Sequence, residues 1–258
     1  MNESKWEEIK NGTRFAGPHA GGLAIVYTIL TLIGLYCISS FSGGAHYPGT
    51  GDSAETITGY FSAHSTALLV CSFFELAAAI TLGVFTATIV SQMRFLRVRA
   101  AGPYIALFGG VASAIAVGAA SCLMWVSAYP GIATTTDMAL SRTLYFMQYI
   151  FGGVGFAIPF AVLVAGISIA GSFTKTLPKW IVGLGVLLMI VGGLSWFSMF
   201  TSNLRFLVPL TRFPGMLWAI AAGFALPRTI MAQAAGLRPQ PVPPSQPVQP
   251  VQPVSRAA

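Results

Sequence analysis

Charged residues are scarce in this sequence: Asp, Glu, Lys and Arg make up only 8% of its 258 residues. Ordinary soluble domains carry about 25% charged residues. Because 55% of the residues are hydrophobic, a soluble fold would expose a large apolar surface to water and would aggregate. The composition therefore excludes an ordinary soluble domain and predicts a chain that is solvated mainly by lipid.

Cysteine and histidine are also rare, with three residues of each type. The cysteines all fall in apolar segments and their number is odd, which argues against a disulfide framework and indicates small core residues. They are Cys37, Cys71 and Cys122. The histidines all lie outside these segments, so nothing supports a haem held by two histidines within the membrane. They are His19, His46 and His64.

The apolar segments lack the residue combinations that intramembrane catalysis requires. No Lys lies in the middle of a segment, which argues against a retinal-type Schiff base. The HExxH and GxSxG motifs are missing from the sequence, and so are paired intramembrane carboxylates. The loop after the first segment carries His46, Asp52, Glu55 and His64, but their spacing matches no metal-ligand pattern. We therefore expect no enzymatic activity, no cofactor and no metal site.

Six segments are long and apolar enough to cross a bilayer, which takes about 20 largely apolar residues per helix. They are 21–41, 66–90, 104–128, 145–173, 180–200 and 206–226. The fold class predicted from them is all-α, a polytopic transmembrane bundle with six spans. Because Pro209 and Pro214 interrupt the last segment, a shorter helix that begins at Pro214 stays open as an alternative.

The predicted domain organisation is a short N-terminal segment (1–20), a transmembrane domain (21–227) and a C-terminal tail (228–258). The first ten residues, MNESKWEEIK, show no apolar signal-peptide core and no small-residue cleavage site, so we expect the first span to remain as an anchor. In the tail, Pro recurs every third residue from Pro244 to Pro253, which is the period of polyproline II. We expect this tail to be disordered, although such a segment can also dock in a partner's groove.

The distribution of Lys and Arg predicts the orientation in the membrane. Eleven of the fourteen lie in the N-terminal segment, the second and fourth loops and the tail. Only Arg142, Arg205 and Arg212 fall on the other side, so both termini are predicted to be cytoplasmic in a multi-pass protein of the cytoplasmic (inner) membrane. The same distribution accounts for the net charge of +7, because basic residues at these positions determine the topology and attract anionic lipid. We therefore expect no nucleic-acid partner.

Two further local structures are predicted from short patterns. The loop 42–64 contains GTGDSAETITGYFSAH, which predicts a short helix over 53–63 that begins near Asp52 and Glu55. Tyr60 and Phe61 would anchor it at the membrane interface. In the third span, Gly110 and Ala114 have the small-xxx-small spacing that lets two helices approach closely.

One carboxylate, Glu75, lies in the middle of the second span, in STALLVCSFFELAAAITLGVFTATIV. A charged acid at a helix centre costs about 2.5–3.5 kcal/mol on insertion scales. To keep a Glu with an ordinary pKa protonated at pH 7 costs about 3.7 kcal/mol. Because the two costs are close, the neighbours of Glu75 must decide its charge.

The helical face of Glu75 indicates where those neighbours lie. Small or polar residues share this face, whereas bulky apolar residues occupy the opposite face, so Glu75 is predicted to point into the bundle. The first set is Cys71, Ser72, Ala79, Leu82 and Thr86, and the second is Phe73, Leu76, Ile80 and Val84. The candidate partner is Arg212 at a comparable depth, with Arg142 and Gln148 as second choices. The candidate site is therefore Glu75, Arg212, Arg142, Gln148 and Ser72.

The sequence is compatible with two functions. The leading hypothesis is an interaction or scaffold component of the lipid bilayer, in which a Glu75–Arg212 pair fixes the register of two helices. Its partner would be another membrane protein or a second copy of the chain. The alternative is a small proton-linked transporter or channel in which Glu75 takes up and releases protons.

The segments LPKWIVGLGVL and PLTRFPGMLWAIAAGFALP resemble those of uncharacterised multi-span membrane proteins that are common in bacteria. The resemblance covers mainly the last third of the chain and rests on helix-boundary patterns. It implies a location in the bacterial cytoplasmic membrane and indicates no activity.

Overall fold

The computed structural model describes residues 14–129, 132 and 138–229. Of the Pro-rich tail predicted over 228–258, the residues beyond 229 lie outside this range. The helices are α1 (Ala20–Phe41), α2 (Ala54–Ala63), α3 (Ser65–Phe95), α4 (Gly102–Ala128), α5 (Met138–Gly152), α6 (Val154–Phe173), α7 (Lys179–Leu194) and α8 (Leu207–Ala225). A 3₁₀ segment, Ser195–Met199, extends α7, and a second one spans Ser202–Leu204.

Within the described residues, six helical segments are long and apolar enough to cross a membrane. They are α1, α3, α4, α5 together with α6, α7 with its 3₁₀ extension, and α8. The expectation of an all-helical chain with six spans is confirmed to this extent. All of these segments belong to one compact unit, Phe15–Arg228. In the other unit, formed by residues 1–14 and 229–258, the structure describes only Arg14 and Thr229, which form an isolated antiparallel bridge.

Two of the spans begin or end five residues or more away from the predicted boundary. Helix α3 continues to Phe95, and Arg94 in its last turn lies with its guanidinium carbon 4.9 Å from the centroid of the Tyr104 ring. The fourth span begins at Met138, which is seven residues earlier than predicted and includes Arg142. Helix α8 runs through Pro214 without interruption, so the alternative of a shorter helix that begins there is wrong. A proline is tolerated inside a membrane helix because neighbouring groups can satisfy the freed backbone carbonyl.

The fourth span is broken at Gly153, between α5 and α6. This residue has φ −94° and ψ −98°, which is not a helical conformation. A Cβ atom at this position would lie 2.5 Å from the carbonyl oxygen of Tyr149, so the break leaves no room for a side chain. The span predicted over 145–173 is therefore present, but it consists of two helical segments.

The chain enters α1 and leaves α8 at the same end of the bundle, which we call the terminal end. The backbone N–H of Phe15 donates to the carbonyl of Arg228 (2.7 Å), and the Arg228 guanidinium donates to the carbonyl of Gly17 (2.6 Å). The side-chain amide of Gln92 donates to the carbonyl of Leu226 (2.9 Å). We call the opposite end, which carries the loop 42–53 and α2, the loop end.

Helix α4 packs between α3 and α6 through small residues. A Cβ added at Gly110 would overlap the side chain of Thr86 on α3, and one added at Gly83 would lie 3.7 Å from the Cβ of Ala114. The close approach predicted for Gly110 and Ala114 is therefore present. On the other face of α4, a Cβ at Gly109 would lie 2.5 Å from the carbonyl oxygen of Pro159 on α6.

The short helix predicted in the loop is present as α2. Ser53 caps it by accepting a hydrogen bond from the backbone N–H of Thr56 (3.1 Å), whereas Asp52 accepts from the N–H of Gly49 (2.7 Å). The predicted membrane-anchoring role of Tyr60 and Phe61 is wrong, because both side chains are buried. They pack in a cluster with Ile57, Leu68, Ala128 and Tyr145, since α2 lies against α5.

Candidate functional site

A cavity of about 390 Å³ lies between α1, α3, α4, α5 and α8 in the half of the bundle nearest the loop end. Its walls are mostly apolar, and they carry a few polar side chains. The lining residues are Leu35, Ile38, Tyr47, Cys71, Glu75, Val117, Ala120, Ser121, Met124, Tyr145, Gln148, Tyr149, Gly152, Gly153, Val208 and Arg212. Pockets for small molecules have this character and volumes of about 300–1,000 Å³.

Glu75 projects from the middle of α3 into this cavity, and its side chain is only 8% exposed. The burial pattern of α3 agrees with the predicted face, since Ser72 and Ala79 are buried whereas Phe73 and Ile80 are exposed. The Oε1 atom of Glu75 is buried and has no hydrogen-bond partner.

Helix α1 lies against this carboxyl group at Gly34. A Cβ added at Gly34 would lie 3.5 Å from Oε1 and 3.5 Å from Cγ of Glu75. A methyl group at this position would therefore be in ordinary contact with the carboxyl group.

Arg212 reaches the cavity from α8 and is held by the break in the fourth span. Its guanidinium donates to the carbonyl of Gly152 (2.8 Å), and the guanidinium carbon lies 4.7 Å from the centroid of the Phe156 ring. Its Nε is buried and has no partner. Arg212 lies close enough to Glu75 to interact electrostatically, but its described hydrogen bond goes to the Gly152 carbonyl.

Gln148 brings a second polar group into the cavity from α5. Its amide nitrogen donates to Oγ of Ser127 (2.6 Å) and to the carbonyl of Leu123 (3.3 Å), which ties α5 to the end of α4. Its Oε1 atom is buried and has no partner. The residue is 6% exposed, so this oxygen is a buried acceptor.

The other two candidate residues lie elsewhere. Ser72 is buried on α3 but is not among the residues that line the cavity, and its hydroxyl donates to the carbonyl of Leu69 (2.7 Å). Arg142 is exposed, and its guanidinium carbon lies 5.6 Å from the ring centroid of Phe146 beside a separate groove. The structure therefore brings together Glu75, Arg212 and Gln148 and leaves Ser72 and Arg142 apart.

Sequence reasoning missed the tyrosines that close the cavity towards the loop end. The Tyr145 hydroxyl donates to the carbonyl of Pro48 in the loop (2.8 Å), and the Tyr47 ring from that loop lines the cavity. Tyr145, Gln148 and Tyr149 are three and four residues apart, so helical periodicity would have placed them on one face. The shared face was the sequence feature from which the two tyrosines could have been predicted.

A second contact holds the same loop against α8. The guanidinium of Arg205, just before α8, donates to the hydroxyl of Thr50. The guanidinium carbon of Arg205 lies 5.6 Å from the ring centroid of Tyr149. The loop is therefore attached both to α5 and to the start of α8.

We expect Tyr145→Phe to make the cavity easier to reach from the loop end. The substitution removes the donor to the Pro48 carbonyl, and the loss of one hydrogen bond, about 1 kcal/mol, shifts a loop-opening equilibrium about fivefold. The measurement is the rate at which a methanethiosulfonate reagent labels Cys71, in a chain whose Cys37 and Cys122 are replaced by Ala. Tyr129→Phe, at a half-exposed tyrosine outside the cavity, is the matched control. Equal rates in all three proteins would show that this bond does not hold the loop closed.

The site can bind a molecule through charge and hydrogen bonds. Four buried polar atoms of cavity-lining residues lack partners: Oε1 of Glu75, Oε1 of Gln148, the Tyr149 hydroxyl and Nε of Arg212. A buried polar group without a partner costs about 1–3 kcal/mol, so a ligand that pairs with these atoms gains correspondingly. Among the described residues, no group of three or more His, Cys, Asp or Glu could hold a metal ion.

No protein-family model, curated protein or solved structure matches the chain.

Proposed function

We propose that this multi-pass membrane protein is a small proton-linked transporter that binds its substrate in the Glu75–Arg212 cavity. We further propose that it does so without catalysing a reaction. The observation that supports the proposal is that the buried Oε1 of Glu75 has no partner and belongs to a residue that lines a cavity of about 390 Å³. An ionisable group in this position marks a substrate or proton route more often than a structural contact.

The environment of Arg212 favours transport over a structural ion pair. A pair that served only to fix helix register would satisfy both partners, because burial makes an unpaired charge costly. Here the guanidinium donates to the Gly152 carbonyl and lies over the Phe156 ring, while Oε1 of Glu75 stays without a hydrogen bond. Glu75 is therefore available to a proton or a ligand.

The break in the fourth span is a second feature that supports transport. Several transporter folds build their substrate sites beside discontinuous helices, where exposed backbone groups and helix ends line the cavity. Both Gly152 and Gly153 line this cavity, at the C-terminal end of α5. The substrate cavity and the break thus coincide.

For the orientation, we propose that the terminal end faces the cytoplasm of a bacterial cell. The excess of Lys and Arg in the segments expected on that side supports it. The cavity then lies in the outer half of the membrane, beneath the loop 42–53.

The interaction or scaffold role is the second candidate. It is favoured by α1 and α7, which have the smallest buried shares among the spans (28% and 33%). Their outward faces carry large exposed side chains, among them Ile29 and Tyr36 on α1 and Leu187 and Ile190 on α7. A partner helix or a second copy of the chain could pack there in place of lipid.

Carbodiimide labelling at Glu75 in native membranes distinguishes the two candidates, because these reagents react with protonated carboxyl groups in apolar surroundings. For the transporter we expect labelling in the unsubstituted protein, read by mass spectrometry, with Glu75→Gln as the blank. Labelling in Arg212→Ala should be similar to that in the unsubstituted protein. The same is expected for Arg142→Ala, the control, because Arg142 lies outside the cavity.

The scaffold role predicts a different pattern of labelling. If Glu75 is labelled only after Arg212→Ala, while the protein remains folded, the two residues form a structural ion pair. The transporter proposal would then be wrong.

A further inference from the structure

We propose that the substrate is a small lipophilic amine that binds as its ammonium ion, with Glu75 as the counter-ion. The inference rests on the proposed function, because it assigns a chemical class to the molecule in the Glu75–Arg212 cavity.

The hydrogen-bonding groups that the cavity leaves free favour a cation. Two of its buried side-chain oxygens, Oε1 of Glu75 and Oε1 of Gln148, have no donor. They belong to different helices, α3 and α5, and both residues line the cavity. A protonated amine supplies N–H donors to such oxygens and a positive charge to the carboxylate, and hydrogen bonds of this kind are stronger than neutral ones.

Arg212 is a poor site for an anionic substrate, although it lines the same cavity. Arginine usually holds a carboxylate or phosphate with two parallel N–H donors. In Arg212 one terminal nitrogen already donates to the Gly152 carbonyl, and the guanidinium lies over the Phe156 ring. The nitrogen that a two-donor contact would use is thus engaged with the break in the fourth span and leaves Nε as a single buried donor, whereas Oε1 of Glu75 has no hydrogen bond.

Aromatic rings add a second preference for a positive charge. Tyr47, Tyr145 and Tyr149 line the cavity. Because the Arg205 guanidinium already lies over the Tyr149 ring, this preference comes from Tyr47 and Tyr145, whose ring centroids are 6.2 Å apart. Organic ammonium ions bind to the faces of tyrosine and tryptophan rings, and the attraction increases when water is excluded.

The remaining walls define the rest of the molecule. Leu35, Ile38, Val117, Met124 and Val208 are apolar, so the substituent on the ammonium is apolar as well. The volume of about 390 Å³ is near the lower limit for small-molecule pockets and fits a single ring or a short alkyl chain.

Exchange against a proton balances the charge. The empty site carries Glu75 as a carboxylic acid; its O–H bond breaks, the proton leaves to one side of the membrane, and the carboxylate receives the ammonium. One positive charge therefore replaces another. The ionisable groups that face Glu75 are Tyr27 on α1, Cys71 on α3 and Arg212 on α8. Across the cavity lie Tyr145 and Tyr149 on α5 and Tyr47 in the loop. No charged side chain from α4 lines the cavity.

Three molecules of matched shape test the inference: 2-phenylethylamine, 2-phenylethanol and 3-phenylpropanoate. They differ in charge, and each can be titrated calorimetrically into the full-length protein in lipid nanodiscs. We expect the amine to bind at least tenfold more tightly than the alcohol or the acid. Glu75→Gln should weaken binding of the amine about tenfold or more, because one charge-assisted hydrogen bond is lost. Arg142→Gln, outside the cavity, should leave it unchanged.

A second measurement does not depend on the Glu75 variant. In the unsubstituted protein, 2-phenylethylamine should protect Glu75 from carbodiimide, and 3-phenylpropanoate should not. The inference is wrong if the acid binds best and Arg212→Gln abolishes its binding, if the alcohol binds as tightly as the amine, or if none of the three binds. These outcomes leave the proposed function intact, because that is decided by labelling of Glu75 without any ligand.

Discussion

Glu75→Gln is expected to reduce proton-driven uptake of benzyltrimethylammonium to the level of protein-free liposomes. The variant keeps the size of the side chain but can neither release a proton nor balance the charge of the ammonium. The assay uses proteoliposomes with an acidic interior and the radiolabelled quaternary ion, which has no neutral form that crosses the bilayer. Because this ion carries no N–H donor, its uptake tests the contribution of charge and of the aromatic rings separately from the hydrogen bonds. The amount of folded protein should stay within about twofold of the parent, since Oε1 of Glu75 makes no hydrogen bond that the substitution would break.

Glu55→Gln is the matched control for this experiment. Glu55 is exposed in the first turn of α2, so the same chemical change there should leave uptake unaffected. If Glu75→Gln retained uptake above background, proton coupling would not run through this carboxyl group. A parallel loss in both variants would point instead to an effect on the protein as a whole.

Gly109→Ala is expected to destabilise the bundle by about 1–3 kcal/mol or more, the usual cost of overpacking a tight core. The new methyl group would lie 2.5 Å from the carbonyl oxygen of Pro159 and would overlap the backbone nitrogen of Leu163. Because these atoms belong to the backbone of α6, the clash is relieved only when α4 and α6 move apart. Thermal unfolding of the purified protein in detergent measures the loss.

Gly118→Ala on the same helix is the control for that substitution. A Cβ at Gly118 would lie 3.7 Å from the Cβ of Ala79, an ordinary contact, so the gain in helix propensity is obtained without overlap. Its melting temperature should equal or exceed that of the parent. Equal melting temperatures for the two variants would show that α4 and α6 do not rely on this close approach.

The spans and the orientation of Glu75 could be predicted because both follow from local periodicity. Apolar length defines a membrane helix, and the 100° rotation per residue places Glu75 on the same side as Ser72 and Ala79. The burial of that side and the exposure of Phe73 and Ile80 agree with this prediction. Neither prediction depends on how the helices are arranged in the bundle.

The environment of Arg212 could not be predicted in the same way. Its hydrogen-bond partner is a backbone carbonyl, Gly152, which is identified only once the break at Gly153 is known. Because a carbonyl has no side-chain signature, sequence reasoning looked for a charged partner and chose Glu75. The prediction for Tyr60 and Phe61 was wrong for a related reason. Aromatic residues at a membrane interface and in a buried core have the same appearance in a sequence, and only the packing of α2 against α5 distinguishes them.

The contacts at the terminal end have a consequence for the order of biosynthesis. Residues 15–17, which precede the first span, are hydrogen-bonded to Arg228, which follows the last. The ribosome makes residues 15–17 before the first span and Arg228 only after the last, so α1 enters the membrane long before its final neighbour exists. The bundle can therefore close only after the sixth helix has left the insertion machinery, and until then the α1 surface that α8 later covers is open to lipid or to chaperones.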